Sequence, residues 1–385
     1  MEISPRSPAS ATDQPATIFV ALELSRGSWL VAVHTPLADK IGLHKLKGGD
    51  SEGLLALIAR LQARVQAALG RPVAVVSCYE AGYDGFWLHR LLEAHGVRNH
   101  VLDPASLLVT RRARRAKTDR IDAASLLRAL MAHLRGEPKV VSVVRVPSVA
   151  VEDARRLHRE RHRLVGERTQ HVNRIKGLLA TQGIYDYEPL RRNRCARLAE
   201  LRSGDGLALP PRLAAELRRE LTRLELVLAM IREVEAERDA IATAKAVSHP
   251  HAAKIQTLVK LKAIGPEFAT VLAGEVFHRV FANRRQVAAY VGLDASPWRS
   301  GAMCRDQGIA KAGNPKARTT MVELSWMWLR HQPNSALSRW FHERVGTLKG
   351  RPRRIAIVAL ARKLLVALWR YLETGLVPAG ATLKA

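Results

Sequence analysis

Four acidic residues lie where this chain could bring carboxylates together. Glu23 ends the first β-rich run, Glu80 ends a later one, and Asp119 and Asp122 lie in KTDRIDA. An i, i+3 spacing puts Asp119 and Asp122 on one face of a helix. Carboxylates and water are the donors Mg²⁺ prefers, and two cations about 4 Å apart can activate a nucleophile and stabilise a leaving oxygen in phosphodiester chemistry. Singly, each acid has an ordinary explanation as a solvated helix face or a charge complement to a helix N-terminus. Together they are more specific, because strand-end carboxylates lie where α/β sheets place their sites. The adjoining Arg111, Arg112, Arg114, Arg115 and Lys117 could hold phosphate beside them.

A second stretch, YVGLDASPWRSG, sets Ser300 before Gly301. By residue type this pair reads as a turn, and a serine hydroxyl is a weak nucleophile unless its setting activates it. Arg299, Arg305, Lys311 and Arg318 are close in sequence and could neutralise a phosphate under attack. Cys304, expected one helical turn beyond Ser300, is either a rival nucleophile or a small buried filler. No Ser-His-Asp arrangement is evident in this stretch.

The elements that must position these residues are readable from periodicity. Thr17 to Leu24 and Trp29 to His34 form a hairpin pattern around Ser25, Arg26 and Gly27. Helical stretches from about Glu52 to Leu69 and around Leu88, Leu91 and Leu92 alternate with strand candidates Val73 to Tyr79 and Val97 to Leu102. The result is an α/β domain. Val151 to Leu179 reads as one long, basic, amphipathic helix. Leu217, Leu221, Leu224, Leu228 and Ile231 form a heptad seam, open to the first long helix or to another subunit. Beyond Pro250 the pattern is mostly helical. There LKAIGPEFATVLAGEV reads either as an ordinary helical corner or as a turn presenting N–H groups to phosphate.

Composition narrows the partners. The 385 residues carry 62 Lys and Arg against 35 Asp and Glu, a formal charge of +27, spread along most of the chain. That favours a polyanion, nucleic acid first. No run approaches the ~20 apolar residues that cross a bilayer, and the polar start lacks a signal sequence. A cytoplasmic, nucleoid-associated protein without a membrane partner is expected. Cys78, Cys195 and Cys304 are too few and too far apart for a disulfide or zinc framework.

The order VALELSR, YEAGYDGFWLHRLLEAHG, a strand ending in DP, then RRAKTDRIDAASLL resembles the N-terminal domain of IS110/IS1111 transposases, itself similar to the RuvC and RNase H nucleases. KTDRIDA is the most diagnostic string. YVGLDASPWRSG, GIAKAGNPKARTTMVELSW and ALARKLLVALWRYLE resemble the same family's C-terminal domain, so the resemblance spans roughly residues 17 to 375. It implies Glu23, Glu80, Asp119 and Asp122 as metal ligands for Mg²⁺, with Mn²⁺ as a substitute, and Ser300 as the nucleophile. The stretch ALELSR departs from the family's G-I-D-V-S-K pattern, since Glu23 is one methylene longer than the usual Asp.

The expected organisation is a disordered leader at 1–15, a RuvC-like α/β carboxylate domain at 16–147 and a helical coiled-coil segment at 148–248. A mostly α serine domain with a helix-hairpin-helix-like element follows at 249–385. By resemblance the activity is cleavage and exchange of donor and target DNA, guided by a structured non-coding RNA of the same element. A homodimer or tetramer would perform it, with one subunit's serine completing a site beside another's acids. Two other readings remain: a junction-cutting nuclease using the carboxylates alone, and a non-catalytic nucleic-acid-binding protein.

Overall fold

The computed structural model describes residues 16–107, 118–243, 248–301 and 303–384, and leaves the side chains of 304–307 undescribed. The leader at 1–15 and the basic cluster Arg111, Arg112, Arg114, Arg115 and Lys117 therefore lie outside the described residues, as does the side chain of Arg305. The chain divides into two units, Met1–Val146 and Pro147–Ala385.

The first unit is built on three consecutive antiparallel strands, β1 (Ala16–Leu24), β2 (Ser28–Thr35) and β3 (Ala38–Lys47). Helix α1 (Ser51–Leu69) is started by the Asp50 side chain, which accepts from the Gly53 N–H, and is stopped by Gly70 in the left-handed conformation. Next come β4 (Val73–Glu80), α2 (Trp87–Ala94) and β5 (Arg98–Leu102). β4 and β5 are parallel neighbours, and β4 lies beside β1, giving the order β3-β2-β1-β4-β5. β3 was not expected. Its exposed, lysine-bearing pattern is that of an edge strand, whose alternation is diluted by charge.

Alternation sorts β1 and β4 into two faces. Ile18, Val20, Leu22, Val73, Val75 and Tyr79 join α1 and α2 in one core. Ala21, Val76 and Cys78 join Ala123, Leu126, Leu127 and Leu130 of α3 (Asp119–Leu134) in the other. The Cys78 thiol donates to the Leu126 carbonyl at 3.7 Å, and burial pushes its pKa up, so it is inert filler.

The second unit opens with α4 (Val149–Asp153) and α5 (Arg156–Ala180). The single helix expected from Val151 to Leu179 is therefore interrupted at Ala154 and Arg155, where the Arg155 Nε turns aside to donate to the Gly274 carbonyl at 3.0 Å. Helix α6 (Arg194–Glu200) and the long α7 (Pro211–Thr243) follow. The heptad seam on α7 is filled within the chain. Leu217, Leu221 and Leu224 pack with Ile175 and Leu179 of α5, and Val227, Ile231 and Val234 pack with Leu164. The seam thus passes through Val227, leaving Leu228 only partly buried, and it offers no open stripe for joining subunits.

The remaining helices are α8 (Ala252–Val259), α9 (Pro266–Glu275), α10 (Arg284–Val291), α11 (Pro315–His331), α12 (Ala336–Val345) and α13 (Arg351–Thr374). They share a core around Leu272, Phe277, Met321, Trp328, Leu364 and Leu368. Between α10 and α11 the chain leaves the helical pattern for an antiparallel hairpin, β6 (Ala295–Ser300) and β7 (Met303–Ile309). Cys304 is therefore not a helical turn beyond Ser300 but lies across the ladder, opposite Arg299.

Candidate functional site

In the first unit the acids occupy two kinds of position. Glu23 has the parity of Ala21, and Glu80 that of Cys78, so both face the side of the sheet covered by α3. The parallel register pairs Leu22 with Tyr79, and Glu23 and Glu80 stand one step further along these adjacent strands. Neighbouring strands lie about 4.8 Å apart, close enough for two carboxylates to feel one another. Asp119 and Asp122 occupy the first turn of α3, which starts at Thr118, whose hydroxyl accepts from the Ile121 N–H at 3.3 Å.

This all-oxygen donor set suits a hard divalent cation. It is not assembled, however: among the described residues no three His, Cys, Asp or Glu side chains form a group that could hold a metal. The strand pair shares a face with the helix that carries the aspartates, but the four acids do not form one cage.

Two residues at the same strand ends were missed in the sequence. Arg26, three after Glu23, donates from Nη2 to the Tyr83 hydroxyl at 2.8 Å and lies over its ring at 5.1 Å. Tyr83, three after Glu80, is 82% exposed. The shared offset of three from each glutamate was the only available signal, and it is a weak one.

In the second unit Ser300 ends β6 and is exposed. Gly301 follows in the left-handed region at φ 56°, and Ser300 pairs with Met303 across the tight turn. A glycine in that conformation is what a short hairpin loop needs. Arg299 and Lys311 are exposed.

The base of the hairpin is firmly held. Gly292 and Gly313, both at positive φ, approach Ala312 and Tyr290 so closely that a Cβ would lie 1.9 Å from the Ala312 oxygen and 2.2 Å from the Tyr290 oxygen, respectively. Arg318, expected to meet phosphate, instead donates from Nη1 to the carbonyls of Val291 and Ala312, both at 3.0 Å. That nitrogen braces the hairpin.

Next to this base lies a buried polar cluster with no clear sequence signature. The Glu275 carboxylate accepts from His158 Nε2 at 2.7 Å, from Arg159 Nε and Nη2 at 2.8 and 3.1 Å, and from Asn314 Nδ2 at 2.8 Å. Burial opposes its charge, but these donors prevail and hold the carboxyl well below the usual carboxylate range. His158 is held below its ordinary value chiefly by burial, against the pull of Glu275. Gly274 makes room for its ring, since a Cβ there would lie 2.8 Å from His158 Cε1. His251 and His278 lie nearby. Burial first pushes them down to about 4 and about 3, helped by His249 and Lys254 at His251 and by Arg155 at His278.

Along the helix pair many arginines are occupied by carboxylates. Arg161 meets Glu235 at 2.7 Å and Glu267 at 3.1 Å, Arg174 meets Glu216 at 2.7 Å, and Arg238 meets Glu267 at 2.8 Å.

A mixed sheet with two glutamates at adjacent strand ends, and a basic helical unit with an exposed serine at a hairpin turn, are features suited to chemistry on a nucleic-acid backbone. Known proteins agree. The DEDD-type IS110 family profile, described as Transposase, matches residues 13–183, and the profile described as Transposase IS116/IS110/IS902 family matches residues 255–339. A putative transposase, y4rJ, of Sinorhizobium fredii is 50% identical across 99% of this chain and 98% of its own length. A probable family 20 transposase of Pseudomonas aeruginosa is 30% identical over 78% and 85%. The transposase for insertion sequence element IS1111A of Coxiella burnetii is 27% identical over 66% of each. The chain belongs to the IS110/IS1111 family of transposases and is a DNA transposase.

Proposed function

We propose that this transposase cuts and rejoins DNA through the Ser300 hydroxyl, aided by a divalent cation held by Glu23, Glu80, Asp119 and Asp122. The observation that carries the reading is the exposed Ser300 at the tip of a hairpin whose base is locked by Gly292, Gly313 and Arg318. A nucleophile on a braced, protruding turn can meet a phosphate that a buried serine could not.

In the step proposed, Oγ of Ser300 gives up its proton as it bonds to phosphorus, one phosphodiester P–O bond breaks, and the departing strand's oxygen takes up a proton and leaves as a hydroxyl. Lys311 is assigned to offset the charge that builds on the phosphate oxygens, with Arg305 as a further candidate from its place in the chain, while Arg299, on the other face of β6 from Ser300, is assigned to the flanking backbone. Mg²⁺, or Mn²⁺ in its place, would supply charge neutralisation and activation of an oxygen at the acids. Glu23 reaches one methylene further than Asp, which suits a ligand set that must be drawn together on loading.

Sequence choice is assigned to a structured non-coding RNA of the element, pairing with donor and target DNA while the basic protein holds backbones. The cluster Arg111, Arg112, Arg114, Arg115 and Lys117 is assigned to phosphate contact, and strand exchange to a homodimer or tetramer in the cytoplasm. The experiment combines protein, the RNA flanking the gene and donor DNA, followed by denaturing electrophoresis. A protein–DNA adduct that survives denaturation and vanishes in Ser300→Ala supports the reading. Cleavage that persists without any adduct in the Ser300→Ala protein would leave only a carboxylate nuclease.

A further inference from the structure

Three residues of the β6–β7 hairpin project from one face. Trp298 and Ser300 are two apart on β6 and Met303 pairs with Ser300, so strand alternation points all three the same way. Trp298 is 54% exposed and Met303 68%. About half of the Trp298 indole stays in water on the face it shares with the exposed Met303, an apolar patch open to a partner. β6 itself carries no acid, and the exposed cations Arg299 and Lys311 lie on the hairpin and its return, in a chain of formal charge +27. By the same alternation Arg299 faces the other side of β6, and an apolar ring on one face of a strand in a strongly basic chain is complementary to a nucleic-acid strand, which offers a π-face beside a phosphate.

We propose that Trp298 stacks on a nucleobase of the DNA strand whose phosphate Ser300 attacks, a proposal that rests on the reading of Ser300 given above. Two residues of strand span about 6.6 Å, close to two nucleotide steps of about 3.4 Å each. The stacked base therefore lies within about two nucleotides of the attacked phosphate. Stacking tolerates any base, so this contact sets where the strand sits without setting its sequence. Trp298 is a positioning contact on the substrate, separate from the bond-making hydroxyl.

The test uses the full chain and a short fluorescein-labelled oligothymidylate, with affinity read by anisotropy and stacking by quenching of tryptophan emission on an unlabelled copy. Trp298→Ala should bind about 5- to 100-fold more weakly, the range for losing one stacked base. Trp298→Phe should keep most of the affinity while losing the emission change. A loss below about threefold in Trp298→Ala, or an equal loss in Trp298→Phe, overturns the proposal. So does a changed oligomeric state with unchanged binding, which would show that a second copy covers the ring. An adduct persisting in Ser300→Ala would overturn the serine reading instead, and the oligonucleotide measurement separates the two failures.

Discussion

Asn314 Nδ2 donates to Oε2 of Glu275 at 2.8 Å, while Asn314 Oδ1 accepts from the Ala317 N–H at 3.1 Å. One side chain thus starts α11, closes the return of the hairpin that carries Ser300, and ties both to the end of α9. His158 and Arg159 reach the same carboxylate from α5. The hairpin rests on three helices that meet at a single anion.

Glu275→Gln should lower the stability of the second unit by roughly 3 kcal/mol, the low end for breaking a buried charged pair. The low end applies because Arg159 is 56% exposed and water replaces part of its loss. Thermal unfolding checks this, and a midpoint unchanged from the parent protein contradicts it.

Gly292→Ala should strain the hairpin base. The backbone at φ 71° disfavours a side chain by about 1–2 kcal/mol, and the new Cβ would press on the Ala312 oxygen. Hydrogen exchange should quicken at residues 295–301 and 303–309, and adduct formation should fall while the rest of the unit keeps its protection. Native-like exchange across the hairpin would refute the bracing role.

Stability should fall as pH drops from about 6.5 toward 4. His251 and His278 are held below the ordinary histidine value of 6.5, so in this window the unfolded chain takes up protons that the folded chain refuses. Each contributes at most about 1.4 kcal/mol per pH unit. The stabilisation is complete above the unfolded value and lost on acidification. Glu275, shifted down, keeps its full contribution above its ordinary value of 4.5 and loses it progressively below that. Unfolding midpoints across this range should slope less in a His251→Gln, His278→Gln double variant, and an identical slope would rule the histidines out.

Glu80→Gln and Asp122→Asn should each weaken Mn²⁺ binding at least about tenfold, or about 1.4 kcal/mol, as read by the electron paramagnetic resonance signal of free Mn²⁺. Loss in Glu80→Gln with none in Asp122→Asn would mean that the strand pair binds without α3.

Much of the scaffold was legible because periodicity reports burial. The β1–β2 hairpin, α1, β4 and β5 fall within a residue or two of their patterns, since each places a hydrophobic stripe on a core. β3 escaped because an edge strand needs little hydrophobicity. The β6–β7 hairpin escaped because β6 is largely wet on both of its faces, leaving Gly301 and Gly308 as the marks of the turn and return. The acids were legible by type and spacing, but their incomplete gathering was not, since it depends on where α3 meets the sheet. The Glu275 cluster was invisible because its members are 117 and 39 residues apart, and only tertiary folding joins them.

The ion pairs along α5 and α7 bear on how this chain responds to ionic strength. An arginine already held by Glu216, Glu235 or Glu267 brings its own counterion and releases none when DNA arrives. The steepness of binding against salt, about 0.9 per phosphate neutralised on duplex DNA, will therefore report far fewer contacts than the 62 basic residues suggest. Part of the positive charge in this transposase is structural material, already spent on the chain's own carboxylates.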